Sequence, residues 1–118
     1  MSSKNPAQRL RDIIDNINAI RAFTADMSFG DFTGDRKTVY AVTRALEIIS
    51  EAARRLPDDF KANHPAVDWP AVAAAGNVYR HEYEVVDDGL VWHTIQHGLA
   101  NLRALSDIEL KRSAKSTD

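Results

Sequence analysis

The sequence predicts an all-α protein, an up-and-down bundle of four principal helices with a short fifth in the connector between the second and third. Three observations carry this. Apolar residues recur at spacings of three and four in long segments; proline, glycine and aspartate punctuate those segments; and no stretch alternates polar and apolar residues as a half-buried strand does.

The first helix runs from Pro6, with Leu10, Ile13, Ile14, Ile17, Ile20 and Thr24 as its stripe and Arg9, Arg11, Asp12, Asp15 and Asn16 between them. Proline suits a first turn, where its missing N–H has no intrahelical partner to lose. The run Ser28-Phe29-Gly30-Asp31-Phe32-Thr33-Gly34-Asp35 reads as a loop, tucked down by its two phenylalanines. A second helix over residues 35–56 aligns Val39, Val42, Leu46, Ile49, Ala53 and Leu56 and ends at Pro57. Its far side carries Ile48 among Arg44, Glu51 and Arg55, which suggests a second contact surface as readily as one exposed isoleucine.

Residues 57–68 form a polar connector with one short turn near 58–63 and a surface histidine, His64. Asp68 then caps a third helix that has Trp69 and Pro70 in its first turn. The helix continues through Ala73-Ala74-Ala75-Gly76, small enough for a close crossing, into the stretch Gly76-Asn77-Val78-Tyr79-Arg80-His81-Glu82-Tyr83. At about 100° per residue, Asn77, Arg80, His81 and Glu84 share one side and Val72, Ala75 and Tyr79 the other. Asp87 or Asp88 caps a fourth helix with Val91, Trp92, Ile95, Leu99, Leu102 and Leu105 inward. A single domain over residues 1–112 and a flexible tail over 113–118 follow.

A chain of 118 residues suffices for one modest core. Fifteen Lys and Arg against 17 Asp and Glu give a net charge of -2, so affinity for nucleic acid needs a local basic patch or a second subunit. With no cysteine, disulfides, thiol catalysis and thiolate metal sites are excluded. The first residues lack the apolar run of a secretory signal, and no segment approaches a membrane span, so a cytoplasmic protein is expected.

Four features invite chemical readings. His93 and His97 have metal-sharing spacing, but a threonine stands where a zinc protease keeps its glutamate and no third ligand is evident. A polar or subunit-facing flank is the better account of them. Glu47 and Glu51 lack Glu-x-x-His partners and read as ion-pairing residues. Trp69 and Trp92 read as packing residues. In the fourth, the segment around Arg80, His81 and Tyr83, an imidazole stands beside a permanent cation and two residues before a phenol. Such groups suit phosphodiester cleavage: a neutral histidine accepts the proton of a ribose 2′-hydroxyl while a guanidinium balances charge on the phosphate, and no metal or cofactor is needed.

The words Arg44-Ala45-Leu46-Glu47-Ile48-Ile49-Ser50-Glu51-Ala52-Ala53, Trp69, Asn77-Val78-Tyr79-Arg80-His81-Glu82-Tyr83, Val86-Asp87 and Leu90-Val91-Trp92, in this order and spacing, resemble the HepT-like branch of the HEPN superfamily. The resemblance runs from about Arg9 to Leu105. It implies an all-helical homodimer whose two motif segments meet in a shared cleft and cleave RNA without metal. It also implies the toxin half of a toxin–antitoxin pair, whose partner is an MNT-type nucleotidyltransferase that in some members transfers AMP to the motif tyrosine.

The family pattern is Arg, four to six residues, His, one residue, Tyr, commonly with Asn after the Arg. Asn77, His81 and Tyr83 match it: His81 as the catalytic residue, Asn77 as its orienting neighbour, and Tyr83 as substrate contact and AMP acceptor. The places for the arginine hold Gly76, Ala75 and Ala74 instead, which leaves Arg80 as the nearby guanidinium. The departure supports a second expectation, a catalytically silent HEPN-type dimeric adaptor that binds a nucleotidyltransferase or a nucleotide.

Overall fold

The computed structural model describes residues 6–77, 79–80 and 85–116, with the side chains of 79, 80, 85 and 113–116 left aside. Seven helices lie among them: α1 (Ala7–Phe23), α2 (Phe29–Thr33), α3 (Arg36–Arg54), α4 (Asp58–Ala62), α5 (Trp69–Ala74), α6 (Asp88–His97) and α7 (Ala100–Ser116). Four of these are long, α1, α3, α6 and α7, and the protein is an all-α bundle. The only other regular element among the described residues is a two-residue antiparallel pair, β1 (Tyr79–Arg80) with β2 (Val85–Val86).

Helix α1 packs between α3 and α7, and its stripe Leu10, Ile13, Ile17 and Ile20 is fully buried. Opposite lie Val42, Leu46 and Ile49 of α3 and Leu102 of α7, also without exposure. Each such side chain contributes roughly 1.5–3 kcal/mol by leaving water. The predicted N-caps are present, Asp68 accepting from the Ala71 N–H and Asp87 from Leu90, and Asp35 caps α3 in the same way, accepting from the Thr38 N–H. The short fifth helix is α4, at the expected place in the connector.

Four expectations are corrected. The run 28–35 is not a loop: Ser28 and Asp31 form a reciprocal capping box that starts α2. Phe32 goes into the core while Phe29 stays 44% exposed, and both rings lie against Trp92 at 5.2 and 6.1 Å. His64 is not a free surface residue, since its Nε2 lies 3.2 Å from Glu109 of α7 and its ring lies 4.8 Å from Phe60. The predicted fourth helix is two helices. Its bend is at Gly98, whose N–H bonds Thr94 O at 2.8 Å and where a Cβ would sit 3.0 Å from that oxygen.

The fourth correction concerns the third helix, which stops at Ala74, before the polar motif. In a longer helix Val72 O and Ala73 O would accept from residues 76 and 77. Here Ser50 Oγ donates to Val72 O at 2.9 Å and Arg54 Nη2 to Ala73 O at 2.7 Å, both from α3. The Asn77 N–H turns to Ala74 O at 2.9 Å, and Tyr79 and Arg80 are extended. Tyrosine favours that conformation, and the helical side-sharing predicted for Asn77 and Arg80 does not hold. Gly76 is the expected close crossing: an added Cβ would meet Ser50 Oγ at 3.0 Å, Ser50 Cβ at 3.2 Å and Glu47 Cα at 3.3 Å.

Two stability outcomes follow. Gly76→Ala is expected to destabilise by about 1–3 kcal/mol in urea unfolding, because the atoms it meets include α3 backbone. Asp35 has its carboxyl held below the usual range by hydrogen bonds from Thr38. A depressed folded-state pKa adds stability above the unfolded carboxylate range that is lost as pH falls through the folded value. Asp35→Ala should therefore melt earlier than the parent at neutral pH, and the gap should close as both are acidified to about pH 2.

Candidate functional site

The end of α5 delivers the polar motif to one side of the bundle. Asn77 is exposed beside that end. Two residues on, the backbone enters the antiparallel pair, with Tyr79 opposite Val86 and Arg80 opposite Val85, the residues that flank the stretch 81–84. His81 and Tyr83 themselves lie outside the described residues, as does the side chain of Arg80.

Next to Asn77 is a groove of about 650 Å³ between α5 and the bend joining α6 to α7. Its floor includes Ile49, Val72 and Leu102. On its rim stand Asn77, His93, His97 and Asn101. The imidazoles of His93 and His97, one turn apart on α6, have centroids 4.7 Å apart and planes tilted by 43°. Among the described residues the lining contains no Lys or Arg, and Asp68 is its one acidic residue. Among the described residues no group of three or more His, Cys, Asp or Glu is arranged to hold a metal ion, so His93 and His97 form a pair without a third ligand.

The remaining sequence candidates are structural. Glu51 pairs with Arg55 at 2.8 Å and Arg54 at 3.4 Å, and the Arg55 hydrogen bond and charge hold its carboxyl below the usual range. Glu47 lies 3.6 Å from Arg44. Ile48 is half-buried in a hollow of about 150 Å³ shared with Arg9 and Asp12 of α1. Trp69 donates its indole N–H to Lys61 O and His64 O, both at 3.1 Å, which ties the connector to the start of α5. Trp92 packs on Phe32. No described helix is long and apolar enough to cross a membrane.

Sequence reasoning missed Asn101 and Arg54. Asn101 is one asparagine between Ala100 and Leu102, and only the bend at Gly98 brings it to the groove. Arg54 looks like one more surface cation until α5 is placed within its reach.

Comparison with known proteins gives these features a context. The family model described as ribonuclease HepT-like matches residues 13–108. A protein of Thermococcus cleftensis named "Probable ribonuclease HepT" is 40% identical over 94 residues, covering 80% of this chain and 86% of the relative. A "Putative RNase" of Methanocaldococcus jannaschii is 36% identical over 101 residues, covering 86% and 84%. Another, of Caldanaerobacter subterraneus subsp. tengcongensis, is 34% identical over 92 residues, covering 78% and 82%. No solved structure matches the chain significantly. The matched span holds the α1–α3 core, the close crossing at Gly76 and the whole motif, and on this ground the chain belongs to the ribonuclease HepT-like family.

Proposed function

We propose that this protein is a metal-independent endoribonuclease acting as a homodimer, and that it is the toxin of a toxin–antitoxin pair. The observation that carries the reading is the ribonuclease family match, which spans residues 76–83. His81 takes the proton from a ribose 2′-hydroxyl, and the 2′-oxygen attacks the adjacent phosphorus. The bond to the 5′-oxygen of the next nucleotide breaks, a proton returns to that oxygen, and a cyclic phosphate remains. Arg80 stabilises the charge on the phosphoryl oxygens, and Asn77 orients His81 or the substrate. Two copies of Arg80 and His81 in a shared cleft supply the positive potential that a net charge of -2 hides. The antitoxin is an MNT-type nucleotidyltransferase that silences the protein by binding or by transferring AMP to the Tyr83 hydroxyl. The protein works in the cytoplasm as one HEPN-like domain, residues 1–112, with a tail.

One observation favours a second reading, a catalytically silent dimeric adaptor for a nucleotidyltransferase or a nucleotide. The family's arginine position holds Gly76, and the backbone there is packed so closely on Ser50 and Glu47 of α3 that a side chain at this position would require the crossing to give way.

Two experiments separate these readings. With EDTA present, the purified protein should cut single-stranded RNA, and His81→Ala should slow cutting by roughly 10²–10⁴-fold. Equal cutting by His81→Ala removes the catalytic assignment, and no cutting by either protein leaves the adaptor. Co-expression with a minimal nucleotidyltransferase should add the mass of AMP to the protein, and Tyr83→Phe should abolish the addition. An adduct that survives Tyr83→Phe places the modification elsewhere.

A further inference from the structure

The groove beside Asn77 has a chemistry that cleavage at His81 does not use. Its floor is aliphatic, from Ile49, Val72 and Leu102, and its rim carries amide and imidazole side chains. Among the described residues the lining has no Lys or Arg and includes Asp68, so no described group there would hold a phosphate or an acidic peptide. The His93 and His97 rings lack a third ligand among the described residues, which disfavours a metal. A broad protein contact is disfavoured as well: of the large exposed apolar side chains described, Leu90 alone lines the groove, while Phe23, Phe29, Tyr40 and Ile108 are on other faces or elements.

What fits is a flat heteroaromatic ring with hydrogen-bonding edges. Imidazole rings offer stacking faces. The carboxamides of Asn77 and Asn101 each supply donors and an acceptor, the combination that reads base edges. A volume of about 650 Å³ lies within the range of small-ligand pockets. The groove also begins at Asn77, the residue that the proposed function has orienting His81 or the substrate, which is why the ring considered is an RNA base.

We propose that this groove is a base-binding subsite, taking one unstacked nucleobase of single-stranded RNA against His93 and His97 with its edge toward Asn77 and Asn101. The proposal rests on the ribonuclease reading for the identity of the ligand, but its binding test does not require cleavage.

The full-length His81→Ala protein is titrated with the four nucleoside 3′-monophosphates, and with ribose 5-phosphate as a base-free control, while the histidine ring C–H signals are followed by NMR. Single His93→Ala and His97→Ala variants assign the signals. The nucleotides should move the His93 and His97 signals and leave that of His64 in place, and ribose 5-phosphate should move none.

In cleavage by the parent chain, the double variant His93→Ala/His97→Ala should raise KM about ten-fold with kcat within about two-fold, and His93→Phe/His97→Phe should restore KM. An RNA carrying an abasic residue beside the cleavage site should be cut equally well by parent and double alanine variant. Unmoved signals, equal shifts with ribose 5-phosphate, or an unchanged KM overturn the subsite. So does a dimer that Leu90→Asp converts to monomer in sedimentation, since a second copy then covers the groove. Shifts without any RNA cleavage by the parent keep the subsite and overturn the enzymatic reading instead.

Discussion

Two hydrogen bonds from one helix decide where the functional end of this protein lies. Ser50 and Arg54, one turn apart on α3, occupy the carbonyls of Val72 and Ala73 that a longer α5 would use for itself. These bonds satisfy carbonyls that the last turn leaves without an N–H four residues on, Val72 O taking the Ala75 N–H as well, and they fix the end of α5 on α3. The chain therefore leaves the helix at Ala75 and Gly76, turns at Asn77 and runs extended through Tyr79 and Arg80. Helix α3 is thus both wall and terminator. Its inner face is buried against α1, and the flank carrying Ser50 and Arg54 ends the element that leads to the motif.

The groove is a consequence of that termination together with the bend at Gly98. Were α6 and α7 one straight helix, Asn101 and His97 would continue a single line of side chains. The bend instead lets Leu99 and Leu102 turn into the core while His93, His97 and Asn101 stay on the rim. The amide and imidazole rim contrasts with the outer face of α3, where Arg44, Glu47, Glu51, Arg54 and Arg55 pair among themselves in solvent. Such exposed pairs add little to stability and are screened by salt. Of these five, Arg54 also reaches across to α5.

Periodicity made α1 and α3 legible because each buries one stripe, and the capping aspartates Asp68 and Asp87 marked helix starts through local chemistry that needs no tertiary partner. The box Ser28-x-x-Asp31 was equally local, but two glycines around it suggested a loop more strongly than the cap suggested a helix. The stop at Ala74 was not legible, because the deciding partners are Ser50 and Arg54, some twenty residues upstream. The pairing of His64 with Glu109 spans more than forty residues and was hidden for the same reason. Of the motif, order and spacing were readable and led to the family. Asn77 could be placed beside a groove that no sequence pattern announces, whereas His81 and Tyr83 lie outside the described residues.

Gly76 also limits what the sequence can become. With Ser50 Cβ and the Glu47 backbone already within 3.3 Å of where a side chain would begin, any residue larger than glycine there requires α3 and α5 to give way by a few tenths of an ångström. A change at Ser50 would not relieve the contact with the helix backbone, and it would remove the hydrogen bond to Val72 O. The position is thus constrained by the crossing before the chemistry of the motif is considered, and glycine is the residue that leaves both helices where they are.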